Sequence, residues 1–118
     1  MATVTTDQLL GEVREVCNRS PLVSHIDESV VDADVLALRA HLKITDAFIS
    51  VFYNLATDKT AFALIVSGQR LYGVDNARKG WHKHPFEDPN QHEGCAPLRF
   101  ADFVADVEAH YRARGELR

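Results

Sequence analysis

The 118-residue chain is 46% hydrophobic and 25% charged, which is the composition of an ordinary globular domain. A net charge of −4 argues against binding duplex nucleic acid over a broad face. No apolar run approaches the roughly 20 residues of a membrane helix, the two cysteines do not make a disulfide scaffold, and no secretory signal is visible. These features predict a single cytoplasmic domain over residues 1–118 that does not associate with membranes.

The first predicted element is a helix that Thr5 or Thr6 caps and that runs to about Arg19. Its apolar residues recur at spacings of three and four, forming one stripe: Leu9, Leu10, Val13, Val16 and Cys17. Ser20 and Pro21 then end the helix.

Five strands follow, rich in β-branched and aromatic residues or alternating in polarity. They are predicted over Leu22–Val31, Val35–Ile44, Phe48–Asn54, Thr60–Ser67 and Arg70–Asp75. Because the connections are too short for parallel crossovers, the sheet should be an antiparallel meander.

A long loop without periodicity is predicted over residues 76–97, and an amphipathic helix from Phe100 to about Arg114 ends the domain. The predicted fold is therefore α+β: an N-terminal helix, a five-stranded antiparallel β-meander, a long loop and a C-terminal helix. Both helices should pack on one sheet face. The other face, with Arg39, His41 and Lys43, is then solvated or forms an interface, for example in a homodimer.

The most informative segment is residues 75–86, because polar residue types concentrate there. It contains one carboxylate, one amide, three cations, two histidines and a tryptophan. Together with Arg70 it gives residues 70–84 a local excess of three positive charges on an acidic protein. Such a basic site suits a phosphate-bearing ligand or one RNA strand.

Metal-independent RNA cleavage is one chemistry that this segment could support. It needs a base for the 2′-OH proton and an acid for the leaving oxygen, which His82 and His84 could supply, and Asp75 could orient a histidine. The remaining candidates would bind substrate, as phosphate ligands or by stacking a base: Asn76, Arg78, Lys79, Lys83, Trp81 and Tyr72.

Three alternatives stay open. The set His82, His84, His92 and Cys95 has zinc-ligand types, although its spacing matches no standard zinc pattern. The loop could instead belong to a non-catalytic module that binds a nucleotide or a protein. It could also be purely structural, with Asp75 and Asn76 in a turn and the histidines as ordinary surface groups.

The run Leu71–Asn76, the later Trp81–Phe86 segment around His-Lys-His, and the C-terminal helix resemble the TumE-like small toxins of prokaryotic toxin–antitoxin systems. This chain departs from them by lacking further histidines before His82. The resemblance implies a cytoplasmic toxin with an antitoxin partner, commonly a helix-turn-helix protein. It carries over to Asp75, Asn76, His82, Lys83 and His84.

Overall fold

A computed structural model describes residues 4–77, 80–88 and 90–117 of the chain. Its elements in chain order are α1 (Thr6–Arg19), β1 (Val23–Val31), β2 (Val35–Leu42), β3 (Ala47–Asn54), β4 (Lys59–Val66), β5 (Gln69–Asp75), β6 (His82–His84), β7 (Glu93–Gly94) and α2 (Phe100–Ala113). The predicted α+β fold with two helices and a five-stranded meander is confirmed.

The strands form one antiparallel sheet in which each strand pairs with its neighbours in sequence, from β1 to β7. Helix α1 begins with the capping box of Thr5 and Gln8, each side chain accepting a hydrogen bond from the other residue's backbone N–H. In β2, buried and more exposed residues alternate with the strand period of two.

Both helices pack on the same face of the sheet, and the hydrophobic core lies between the helices and that face. Phe62 of β4 is 2% exposed and contacts the rings of Phe100 and Phe103 from α2. On α1 the buried residues are those of the predicted apolar stripe, together with Thr6, except that Leu9 is only partly buried. No helix of the described residues packs on the opposite sheet face, here called the open face.

The predicted long loop contains the two short strands β6 and β7, which extend the sheet beyond the five-stranded meander. With three and two residues, they are too short for an alternating pattern to show in the sequence. The loop after β6 is fixed to α2 by stacked rings: Phe86 lies 4.3 Å from Tyr72 and 3.9 Å from His110 between ring centroids.

Within the described part of the chain, neither 14-residue helix, α1 or α2, is long and apolar enough to cross a membrane.

Candidate functional site

The β5–β6 ladder brings the central candidates together on the open face. Asp75 lies opposite His82, and Gly73 lies opposite His84. Because β6 is extended, the side chains of His82 and His84 share one side of the sheet. Asp75 also makes a turn contact of the kind considered in the structural alternative. Its Oδ1 accepts a hydrogen bond from the backbone N–H of Ala77 at 3.0 Å.

Arg70 joins this group because of an irregularity in β5. The pairing shifts between Leu64, opposite Tyr72, and Ile65, opposite Arg70, so that Leu71 is an extra residue in the ladder. Such a bulge changes the face to which a side chain points. Arg70 therefore lies on the open face beside Gly73, where a Cβ would come within 3.1 Å of its Cδ.

Asp75 bridges the two histidines unequally. Its Oδ1 lies 3.1 Å from His82 Nε2, whereas its Oδ2 lies 3.6 Å from His84 Nε2, which is too long for a good hydrogen bond. His82 Nδ1 lies 3.1 Å from the Gly80 carbonyl oxygen. Both nitrogens of His82 thus face acceptor atoms.

His84 has the opposite electrostatic environment. Its Nδ1 lies 3.3 Å from Nη2 of Arg70, and because a guanidinium only donates, this nitrogen must accept and the ring proton lies on Nε2. The residue is 4% exposed. Burial, followed by the charge of Arg70 and the neighbouring His92, lowers the pKa of His84, and Asp75 only partly opposes this. His84, whose pKa is lowered, therefore lies beside His82, whose ring faces two acceptors.

His92 completes the cluster. Its ring centroid is 4.3 Å from that of His84 and 5.2 Å from that of His82, and it is exposed. These rings, together with Arg70 and Asp75, line an open cleft of about 690 Å³. From the sequence, His92 is predicted only as a metal ligand and Arg70 contributes only to the local positive charge.

Two predicted substrate-binding residues, Tyr72 and Asn76, make contacts within the fold instead of facing the cleft. Tyr72 is 5% exposed, stacks between Phe86 and Phe103, and donates to Asp106 Oδ2 at 2.7 Å, so its ring is not available to a base. The amide of Asn76 accepts from Thr60 N–H at 2.8 Å and donates to the Asp58 carbonyl at 2.8 Å. Both polar atoms of the Asn76 side chain are therefore already hydrogen-bonded to the backbone.

Lys83 points away from the cleft, because it alternates with His82 and His84 along β6 and pairs with Val74. Its Nζ lies 4.0 Å from Glu93 Oε2. Trp81 is half-buried and lines the cleft. Arg78 and Lys79 lie outside the described residues.

The metal-ligand set His82, His84, His92 and Cys95 is only partly brought together. Nitrogens of the three histidines lie within 4.8 Å of one another, but the Cys95 sulfur is not part of that group. Burial raises the pKa of the Cys95 thiol, which disfavours the thiolate that a zinc ligand or nucleophile requires. Its backbone N–H donates to the Trp81 carbonyl at 3.1 Å and extends the β6–β7 pairing.

No family model, no curated protein and no solved structure matches this chain.

Proposed function

We propose that this protein acts on RNA as a metal-independent endoribonuclease and is the toxin component of a prokaryotic toxin–antitoxin pair. One observation carries the catalytic part of the proposal: two histidines flank one carboxylate, with an arginine, at an open cleft. Histidines that face the same cleft can share the acid and base roles that RNA cleavage requires.

Each group then has a role in the proposed reaction. His92, exposed beside both other histidines, takes the proton of the 2′-OH as that oxygen attacks the phosphorus. His82 gives a proton to the departing 5′ oxygen, so that the products are a 2′,3′-cyclic phosphate and a 5′-OH. Arg70 offers a cation for the charge that develops on the phosphorane oxygens.

Asp75 and His84 are positioning residues in this scheme. The carboxylate holds His82 in its orientation through the 3.1 Å contact. His84 is 4% exposed and engages Arg70, so its proposed role is to place the guanidinium rather than to contact substrate. Trp81 on the cleft wall remains the candidate for stacking a base.

The toxin role and its antitoxin partner, proposed to be a helix-turn-helix protein, rest on the resemblance to TumE-like proteins alone. Fold and resemblance do not specify chemistry, so the proposed reaction rests on the side chains of the cleft.

The test is cleavage of a labelled single-stranded RNA by the parent protein and by matched His→Gln variants, in the presence of EDTA. The variants His82→Gln and His92→Gln should each lower the rate by about 10²- to 10⁴-fold, the usual contribution of an acid or base. The control His25→Gln, whose side chain is 61% exposed on β1, should cleave at the parent rate.

Equal cleavage by all four proteins, no cleavage by the parent, or loss of cleavage in EDTA would contradict the proposal. Retention of RNA without cleavage, weakened by Arg70→Gln, would instead support the non-catalytic binding module.

A zinc ion on His82, His84 and His92 is the second candidate, because their nitrogens converge within 4.8 Å. The Gly80 carbonyl places a proton on His82 Nδ1 and directs Nε2 toward the cluster. The Arg70 contact argues against it, since it leaves the proton of His84 on Nε2 and adds a positive charge nearby. Elemental analysis of the parent and of the His82→Gln/His92→Gln variant tests this candidate. Equal zinc content in the two proteins would exclude a zinc ion on the three histidines of the cleft.

A further inference from the structure

A second group of polar side chains lies on the open face, near the opposite edge of the sheet. His25 of β1 lies opposite His41 of β2, and Asp27 lies two residues further along β1 on the same face. Across the sheet, His41, Phe48, Ile65 and Arg70 are successive ladder partners. His41 is therefore three strand spacings, about 14 Å, from Arg70 of the cleft.

We propose that His25, Asp27 and His41 bind a divalent transition-metal ion of the zinc type, in a site separate from the cleft. One ligand atom from each residue lies within 4.8 Å of the other two. Two imidazoles and a carboxylate are a ligand set that zinc accepts, with the fourth position left for water. This inference does not depend on the proposed function.

The distances within the group fit such an ion. Asp27 Oδ2 lies 2.9 Å from His41 Nε2 and 4.0 Å from His25 Nε2. Tetrahedral zinc with bonds of about 2.0–2.1 Å separates its ligand atoms by about 3.3 Å, a value between those two distances. The two imidazole rings are stacked, with centroids 4.6 Å apart and planes inclined by 10°. Because each Nε2 lone pair lies in its own ring plane, the two rings would have to tilt toward each other to bind one ion.

Hydrogen bonds outside the group set the tautomer of one ligand. The hydroxyl of Ser24 donates its single hydrogen to the His41 carbonyl at 3.1 Å. Its contact with His25 Nδ1 at 3.0 Å must then be a bond that the imidazole donates. This leaves a lone pair on His25 Nε2, the state required of a metal ligand.

His41 Nε2 provides a further indication. The atom is buried, and although Asp27 Oδ2 is 2.9 Å away, the two are not aligned for a hydrogen bond, so this nitrogen has no hydrogen-bond partner among the described residues. An unmatched buried nitrogen that faces a carboxylate is satisfied by an ion between them.

The surroundings leave room for the ion and its water. The side chains of His25 and Asp27 are 61% and 64% exposed. Arg39 lies opposite Asp27 in the ladder, but its guanidinium lies over the Phe48 ring, 4.6 Å from the centroid. This differs from the cleft, where Arg70 contacts a histidine nitrogen directly.

The experiment is calorimetric titration of Zn²⁺ into the His82→Gln/His92→Gln variant, so that the cleft histidines do not contribute. One equivalent should bind. Addition of His41→Gln or Asp27→Asn should abolish binding. Ser24→Ala, which removes the contacts to His25 Nδ1 and to the His41 carbonyl but no proposed ligand, should weaken binding by about tenfold.

Failure of the double variant to bind zinc, or unchanged affinity after His41→Gln, would overturn the proposal. Circular dichroism checks folding, and if His41→Gln unfolds, His25→Gln at the exposed position replaces it as the deciding variant. A second readout is the NMR spectrum, in which zinc should shift the ring protons of His25 and His41 and leave those of His110 unchanged.

Discussion

His82 and His84 differ in the atoms that lie next to each ring nitrogen. His82 faces a carbonyl and a carboxylate, both of which only accept, whereas His84 faces a guanidinium, which only donates. Two histidines of the same sequence motif therefore have opposite electrostatic environments. The proposed proton transfer at the cleft would use this difference, which a substitution at Arg70 or Asp75 should reduce.

Acidification should destabilise the protein partly through His84. Its pKa lies below the ordinary value near 6.5 because of burial and Arg70, so the unfolded chain binds more protons than the folded one as pH falls through 6.5. This contribution to the free energy of unfolding is complete above about pH 6.5 and is lost below it. Burial lowers the pKa of His110 as well, with the same sign.

Urea unfolding of the parent and of His84→Gln at pH 7.5 and 5.5 measures this effect. The variant should lose less stability on acidification than the parent and retain the part that comes from His110. A steeper loss in the variant would show that the sign is wrong.

Gly73 should control the contact between Arg70 and His84. A Cβ at this position would lie 3.1 Å from Arg70 Cδ and 3.6 Å from His84 Cδ2. In Gly73→Ala the flexible arginine should move away from the imidazole, and the pKa of His84 should rise toward its ordinary value, because one cause of its lowering is withdrawn. NMR titration of the His84 ring measures this shift, with Arg70→Met as the reference that removes the charge outright. A pKa that falls further in Gly73→Ala would contradict the account.

At the scale of elements, polarity and propensity predict the five long strands and both helices, because each element is long enough to show its period. The cleft was harder to predict for two reasons. An exact period of two places Arg70 on the helix-bearing side of β5, and only the extra residue Leu71 reverses this. The position of His92 in the cleft is the second. His92 directly precedes β7, and the pairing of β7 with β6 depends on tertiary contacts rather than on a local sequence pattern.

Asn76, which follows β5, should stabilise the contact between the end of β5 and the start of β4 rather than bind substrate. Its amide oxygen accepts from Thr60 N–H at the start of β4, and its NH₂ group donates to the Asp58 carbonyl of the preceding turn. Asn76→Ala leaves both groups unmatched and should lower the free energy of unfolding by about 1–3 kcal/mol. Asn76→Asp keeps the acceptor and should cost less. The exposed Asn90→Ala serves as control in thermal unfolding, and an equal effect of Asn76→Ala and Asn90→Ala would refute the structural role.

At the scale of the whole molecule, one sheet face is covered and the other is open. The α2 rings Phe100 and Phe103 pack on Phe62 of β4, and Phe103 also stacks on Tyr72 of β5 at 5.0 Å. The side chains of the cleft, on β5 and β6, and of the proposed metal site, on β1 and β2, lie on the opposite face of the same sheet. The covered face thus stabilises the sheet that positions both sites, without obstructing either of them.

Two phenylalanine substitutions test this asymmetry, one on each face. Phe103 of α2 is fully buried between the helix and the sheet, so Phe103→Ala should cost about 3–5 kcal/mol in urea unfolding, a large share of the roughly 5–15 kcal/mol typical of a domain. Phe52 on the open face is half-buried, and Phe52→Ala should cost much less. The homodimer predicted from the sequence would change this result, since a second copy on the open face would bury Phe52. Sedimentation at matched concentration separates the cases: a dimeric parent that Phe52→Ala converts to monomer would show that the open face is an interface, whereas equal monomer masses leave it free for ligands.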